Sequence, residues 1–160
     1  MKQPKREFPK TPQAYARQFG NAVLPEAMKI GRRYYIVPEE VKKTHDKTGQ
    51  EAFGLGLYIG QEKGDSFMPS IGFLDSIEDA ERKVMINKGA EWLFLCGRDV
   101  FPKNITKIEG CEEGKGQGMF LVQNELGEIL GIGDLRQERE GLMLKNLLDR
   151  GDFLRREHSD

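Results

Sequence analysis

Cysteine and histidine are scarce in this chain of 160 residues, two of each. Cys96 and Cys111 lie fifteen positions apart, with no CxxC pair and no histidine nearby. That spacing argues against a disulfide scaffold and against a structural zinc site. Long apolar runs are missing too: nothing approaches the roughly 18 residues that a membrane-spanning helix needs. The N-terminus, MKQPKREFPKTPQ, has the positive start of a secretory signal but not its apolar centre, so the chain is read as cytoplasmic. Neither sign of charge is in excess. With 25 Lys and Arg against 26 Asp and Glu, the formal net charge is −1. This excludes a polybasic nucleic-acid coat, an acidic tail protein and a chain disordered throughout. What remains is an ordinary globular composition, 38% hydrophobic and 32% charged with 19 glycines. It is long enough for one domain with a good core or for two small ones.

Catalytic signatures are equally thin. Gly54, Gly56 and Gly60 are spaced one residue too widely for a dinucleotide fingerprint, and QEKGDS follows where a helix is required. Gly131-Ile132-Gly133 reads as close strand packing. The run Gly114 to Gly118 lacks the GK[ST] ending of a phosphate loop and reads as a hairpin tip. His45 sits in a polar turn and His158 third from the end, neither beside a serine or cysteine nucleophile. Glu112 and Glu113 read as a solvated pair that would raise the pKa of Cys111 rather than activate it. Cys96 reads as core. No catalytic residue, metal site, cofactor or small-molecule substrate is assigned, and the chain is read as a non-enzyme.

The expected fold class is α+β in three parts. Residues 1–12, with Lys2, Lys5, Arg6, Lys10 and three prolines, form a flexible basic arm. Residues 13–90 form an α/β domain with an antiparallel sheet. It has a short helix around Tyr15 and Phe19, a strand over Tyr34–Val37, and a helix from Glu39 to Thr44. A glycine-containing hairpin follows, whose second strand is interrupted at Pro69, and then a short strand at Val84–Ile86. The boundary is placed at Lys88–Ala90. Residues 91–160 form a small β-barrel in which Trp92–Cys96 is the first strand, 142–148 a short helix stopped by Gly151, and 152–156 a closing strand or turn.

Charge is uneven between the halves. Residues 1–90 hold 15 basic and 12 acidic side chains, and residues 91–160 hold 10 and 14. Within the acidic half the cations cluster late, at Arg136, Arg139, Lys145, Arg150, Arg155 and Arg156. If folding brings them to one face they make a nucleic-acid footprint; otherwise they are a salt-paired surface.

The stretches LFLCGRDVFPKNITKIEG, GMFLVQNELGEILGIGDL and GDFLRREHS resemble a PUA domain. Over roughly 30–160 the chain resembles the archaeal members of the nuclear-import-protein-seven family, PUA proteins of large-subunit ribosome assembly. RRYYIVPEEVKK looks like the family's strand then helix, and Gly151-Asp152-Phe153-Leu154-Arg155 like its tail motif. The resemblance implies an α/β first domain followed by a PUA-type β pseudo-barrel, and RNA binding without catalysis. By the same resemblance the PUA domain would contact ribosomal RNA, and the first domain would contact ribosome-assembly proteins. The family's basic positions fall on Arg136 and Arg155. Arg139, Lys145 and Arg156 extend the patch, with Arg98 in the Gly97 turn as an outlying member. Two other readings stay open. One is a detached RNA-targeting subunit of a methyltransferase or pseudouridine synthase; the other is a protein-interaction module whose arginines are merely solvated.

Overall fold

The structure is a computed structural model that describes residues 8–52, 54–112 and 116–157. It divides into two units. The first takes in the chain up to Arg17 and Val23–Glu78; the second takes in Gln18–Ala22 and the chain from Asp79 onward.

The first unit opens on helix α1 (Pro12–Ala16). Thr11 caps it by accepting the Ala14 N–H at 3.2 Å, and Pro12 occupies the first turn, where its missing N–H costs nothing. Four strands follow, β1 (Ala27–Ile30), β2 (Arg33–Ile36), β3 (Leu57–Lys63) and β4 (Ser66–Pro69), antiparallel and in that order. Two of the hairpins close on two residues led by glycine, Gly31 at φ 62° and Gly64 at φ 60°. A left-handed first position suits such tight loops. Helix α2 (Glu39–Thr48) starts after Pro38, ends at left-handed Gly49 and buries none of its side chains. Helix α3 (Ile71–Ser76) completes the unit.

Alternation along the strands puts Lys29, Tyr34, Glu62 and Phe67 on one face of this sheet. Tyr15 of α1 and Phe73 of α3 lie against it. Edge-on ring pairs join Tyr15 to Phe67 (5.6 Å) and to Phe73 (5.5 Å), and Tyr34 to Phe67 (5.7 Å). Each such pair contributes about 1 kcal/mol beyond its burial. At the rim, Lys29 Nζ and Tyr34 Oη both donate to Glu62 Oε1, at 2.6 and 3.0 Å, and hold that carboxyl below its usual range. The basic arm is not wholly free. Pro9 C=O accepts the Phe67 N–H at 2.8 Å and Lys10 pairs with Asp65 at 3.3 Å, so 8–12 line the β4 edge. Lys2, Lys5 and Arg6 lie outside the described residues.

The second unit is a mixed five-stranded sheet in the order β6-β5-β7-β8-β9. Its strands are β5 (Lys83–Ile86), β6 (Ile105–Glu109), β7 (Gly118–Gln123), β8 (Ile129–Glu138) and β9 (Gly141–Asp149), and only β5 and β7 run parallel. Val84, Ile86, Phe94, Phe120, Leu135 and Leu144 centre the core. Val100 exchanges two backbone hydrogen bonds with Leu144, so 99–101 runs along the outer edge of β9. Phe19, a residue of this unit, is fully buried, and its carbonyl accepts the N–H groups of Glu81 and Arg82.

Several expectations need correcting here. The units divide at Glu78/Asp79, not at Lys88–Ala90. The strand at Val84–Ile86 is β5, an inner strand of the second sheet, so a fragment starting at Glu91 would lack the partner of both β6 and β7. Trp92–Cys96 is no strand. Helix α4 (Lys88–Leu95) runs through it, capped by Asn87, whose Oδ1 accepts the Ala90 N–H at 3.0 Å; Cys96 is its exposed C-cap. The segment 142–148 is strand β9 instead of a helix, and 152–156 is helix α5 (Asp152–Glu157) instead of a strand. Among the described residues no helix is long and apolar enough to cross a membrane.

The start of α4 also offers a stability test. Gly89 is exposed and helical, and a Cβ there would meet nothing closer than the Asn87 Oδ1 at 3.5 Å. Gly89→Ala is expected to stabilise the chain by about 0.5–1 kcal/mol, read from the urea midpoint.

Candidate nucleic-acid interface

The six cations singled out from the sequence fall into three groups. Arg136 and Lys145 lie on one face of the β8–β9 hairpin, among carboxylates. Arg136 Nε donates to Asp134 Oδ2 at 2.7 Å, and that aspartate is buried. Lys145 Nζ stands 3.0 Å from Glu138 and 3.3 Å from Asp99. The bond to Glu138 outweighs partial burial and raises the lysine pKa. Both cations are neutralised within the fold and must exchange partners to meet a phosphate.

Arg155 and Arg156 sit on α5. Arg155 forks onto Asp149 at the end of β9, Nη1 to Oδ1 at 2.8 Å and Nη2 to Oδ2 at 2.9 Å, and Nη1 also donates to the Leu95 carbonyl at the end of α4. Asp149 is 1% exposed and also accepts the Gly151 N–H at 2.9 Å. Its hydrogen bonds raise the Arg155 pKa. This arginine fastens α5 to the body of the unit. Arg156 pairs with Asp152 at 2.8 Å but its side chain is 79% exposed, so it remains open to a ligand.

Arg98 and Arg139 are exposed and carry no ion pair among the described residues. Arg98 follows the Gly97 turn, its N–H bonded to the Leu93 carbonyl at 3.0 Å. Arg139 is the first residue of the two-residue turn joining β8 to β9. Gly141, just past that turn, abuts Pro102: a Cβ there would come 3.2 Å from the proline Cγ. Lys103, beside Pro102 in a 3-10 turn, is likewise exposed and unpaired, and Phe101 between the cations is 49% exposed. Arg98, Phe101, Lys103 and Arg139 thus follow the edge of β9 as a strip. The sequence reading missed Lys103. Its signal was the pairing of a cation with an aromatic in FPKN, a pattern that single-stranded nucleic acid binders use.

Arg136, Arg139, Lys145, Arg155 and Arg156 do not converge on one face. Arg139 lies at one end of β9 and Arg155 at the other, about 26 Å apart along nine residues. His45 lies on α2 rather than in a turn. Glu113, Gly114, Lys115 and His158 fall outside the described residues. Among the described residues no three His, Cys, Asp or Glu side chains are grouped to hold a metal. The glycine pair in β8 has a steric cause: a Cβ would meet the Leu148 carbonyl at 2.0 Å from Gly131 and the Leu144 side chain at 2.5 Å from Gly133.

Comparison with known proteins follows this anatomy. Over 109 residues the chain is 32% identical to a protein described as "UPF0113 protein" from Archaeoglobus fulgidus, a match covering 62% of this chain and 60% of that relative. The chain therefore spans less than two thirds of that protein's length. A conserved PUA domain protein from Thermoplasma acidophilum has a similar structure, with TM-score 0.51 at 18% identity over 78% of this chain and 98% of that one. The likeness establishes the fold, a PUA-domain fold with mixed sheets and several helices. Residues 82–158, from the residue before β5 to the residue after α5, match the family described as "UPF0113 PUA domain".

Proposed function

We propose that this chain is a non-enzymatic RNA-binding protein of ribosome biogenesis, acting in the cytoplasm on ribosomal RNA during large-subunit assembly. Its second unit holds RNA and its first unit holds assembly proteins. The observation that carries the reading is the match of 82–158 to a PUA domain, a domain that points to RNA as ligand. The resemblance to the nuclear-import-protein-seven family supplies the ribosomal setting. The strip of Arg98, Phe101, Lys103 and Arg139 supplies the chemistry: three unpaired cations for phosphates and an exposed ring for a base. Arg156 adds a fourth cation. Arg136, Lys145 and Arg155 contribute less, because each is already held by a carboxylate.

A single-stranded RNA oligomer titrated against the intact chain tests this. Three or four phosphate contacts give a log–log salt slope of about −2 to −3. Arg98→Ala with Arg139→Ala should flatten the slope by about 1.4, and Arg136→Ala by much less. A double variant with unchanged affinity and slope would remove the strip from the interface. Crosslinking in cells should return ribosomal RNA; recovery of transfer or messenger RNA alone would sink the ribosomal assignment.

A further inference from the structure

The first sheet has two outer strands, β1 and β4. Along β4 the Phe67 N–H, which alternation turns away from β3, donates to the Pro9 carbonyl at 2.8 Å. The outer strand β9 of the second sheet is met in the same manner, by the two bonds between Val100 and Leu144. Both edges are covered by extended backbone. For β1 the directions of the backbone groups follow from the neighbouring strands. The Glu62 N–H donates to the Arg32 carbonyl at 2.8 Å, which makes Arg33 and Gln61 a pair without hydrogen bonds between them. The N–H and C=O of Arg33 therefore point at β1, where they bond Ile30, and those of Tyr35 bond Met28. The N–H and C=O of Ala27 and Lys29 are left pointing outward, and among the described residues nothing bonds them.

An exposed edge is commonly guarded by a lysine, whose charge a docking strand would have to bury. Lys29 does not guard this one. Its Nζ donates to Glu62 on β3 at 2.6 Å and lies 5.8 Å from the centre of the Tyr34 ring, so the side chain runs back across the sheet. The other residues of β1, Ala27, Met28 and Ile30, are uncharged. At its N-terminal end the strand borders a groove of about 400 Å³, where Pro25, Met28, Ile36 and Val37 supply apolar surface. Glu26 and Glu39 also line it, against the single cation Lys42, and that balance disfavours a phosphate chain. A row of unpaired N–H and C=O groups is matched by extended backbone, with affinity from the main chain and selectivity from a pocket beside it.

We infer that the outer edge of β1 takes up an extended segment of a partner protein as a further strand of the first sheet. The segment bonds to Ala27 and Lys29, and one of its apolar side chains sits in the groove against Met28, Ile36 and Val37. This rests on the reading of the first unit as the protein-contacting half, and it specifies the edge used and the conformation of what binds.

The probe is a short blocked peptide of alternating threonine and valine with a leucine near one end, titrated to millimolar concentration against the intact chain and followed by amide NMR. It should shift the Ala27 and Lys29 amides and slow their hydrogen exchange, while the Met28 and Ile30 amides, already bonded to β2, change little. Replacing the leucine of the peptide by serine should weaken binding about tenfold. Ala27→Pro removes one outward donor and no bond to β2, and should weaken binding about fivefold. Ala27→Ser keeps that donor and should bind as the parent does. The same peptide N-methylated along both edges keeps its side chains and should not bind, a result that does not depend on how the proline variant folds. Equal binding of the N-methylated peptide, no shift at Ala27 and Lys29, or an RNA oligomer protecting the same amides overturns the inference. Peptide bound elsewhere on the first unit also overturns it but leaves that unit a protein-binding one. The protein-contact reading falls separately, if photocrosslinkers placed on the first unit in cells return RNA and no protein.

Discussion

Arg155→Ala is expected to lower the stability of the chain by about 2–3 kcal/mol. The change removes the fork that neutralises Asp149, a carboxylate that is 1% exposed and keeps only the Gly151 N–H among its bonds to the chain described above. Losing one partner of a buried ion pair typically costs about 3–5 kcal/mol. Arg155 is 38% exposed, so water screens part of the interaction and the lower figure applies. The Leu95 carbonyl loses its donor as well, and α5 is freed from the end of α4. Urea unfolding of the intact chain reads the effect. Arg156→Ala is the control, since its pair with Asp152 is exposed and its loss should cost no more than about 0.5 kcal/mol. A pure phosphate ligand at Arg155 gives the opposite pattern, RNA binding lost and the urea midpoint unchanged. That was the role the sequence implied.

Gly131→Ala is expected to be worse, at about 3 kcal/mol or more. The added Cβ would lie 2.0 Å from the Leu148 carbonyl, 2.9 Å from the Asp149 Cα and 2.9 Å from the Phe94 ring. Two of these obstacles are backbone, so β8 and β9 must separate before the methyl fits. Overpacked cores commonly lose about 1–3 kcal/mol, and more where backbone must yield. Thermal unfolding against Gly89→Ala, a substitution at an open helical site, isolates the steric effect from the loss of glycine itself. A Gly131→Ala chain within about 0.5 kcal/mol of the parent would show that the strands relax freely there.

Local chemistry made the first unit readable. Tyr34-Tyr35-Ile36 is β-branched and aromatic, Pro38 opens a helix, and the glycine at Gly64 turns a hairpin, each on its own residues. The second unit was harder, because its central strand β7 is covered on both faces. Every residue of β7 is buried, so no alternation marks it. In β9, Leu142 and Leu144 belong to the core while Met143 and Leu147 interrupt the period, and a bulge opposite Ile132/Gly133 puts one extra residue into β9 itself. Glu91 to Cys96 is an apolar run too short to tell helix from strand by periodicity. Here the helix buries Ala90 and Phe94 and leaves Trp92 70% exposed, a division no pattern in EWLFLC announces. The cap was visible in Asn87, three residues before Ala90, and was the better guide. The site was half legible for a related reason. Sequence shows which residues are cations, but whether a carboxylate has already claimed them depends on pairings such as Asp134 to Arg136 and Asp149 to Arg155, which only the register creates.

The placement of Gln18–Ala22 bears on the order in which the chain acquires its structure during synthesis. Asn21 leaves the ribosome 60 positions ahead of its partner Glu81, and the Phe19 carbonyl precedes the Glu81 and Arg82 N–H groups it accepts. In the interval Val23–Glu78 emerges complete, with every strand of its sheet. Its two ends are held together by a pair of hydrogen bonds, Val23 N–H to Glu78 C=O at 2.8 Å and Glu78 N–H to Val23 C=O at 2.9 Å. Once that clasp has formed, the residues just outside it, Ala22 and Asp79, are neighbours before any of the second sheet exists. The entropy of closing a long loop has then been met by the folding of the loop itself. The nascent chain therefore presents Phe19 beside the growing point of the second unit, and the slow, non-local part of folding reduces to adding strands onto an already positioned residue.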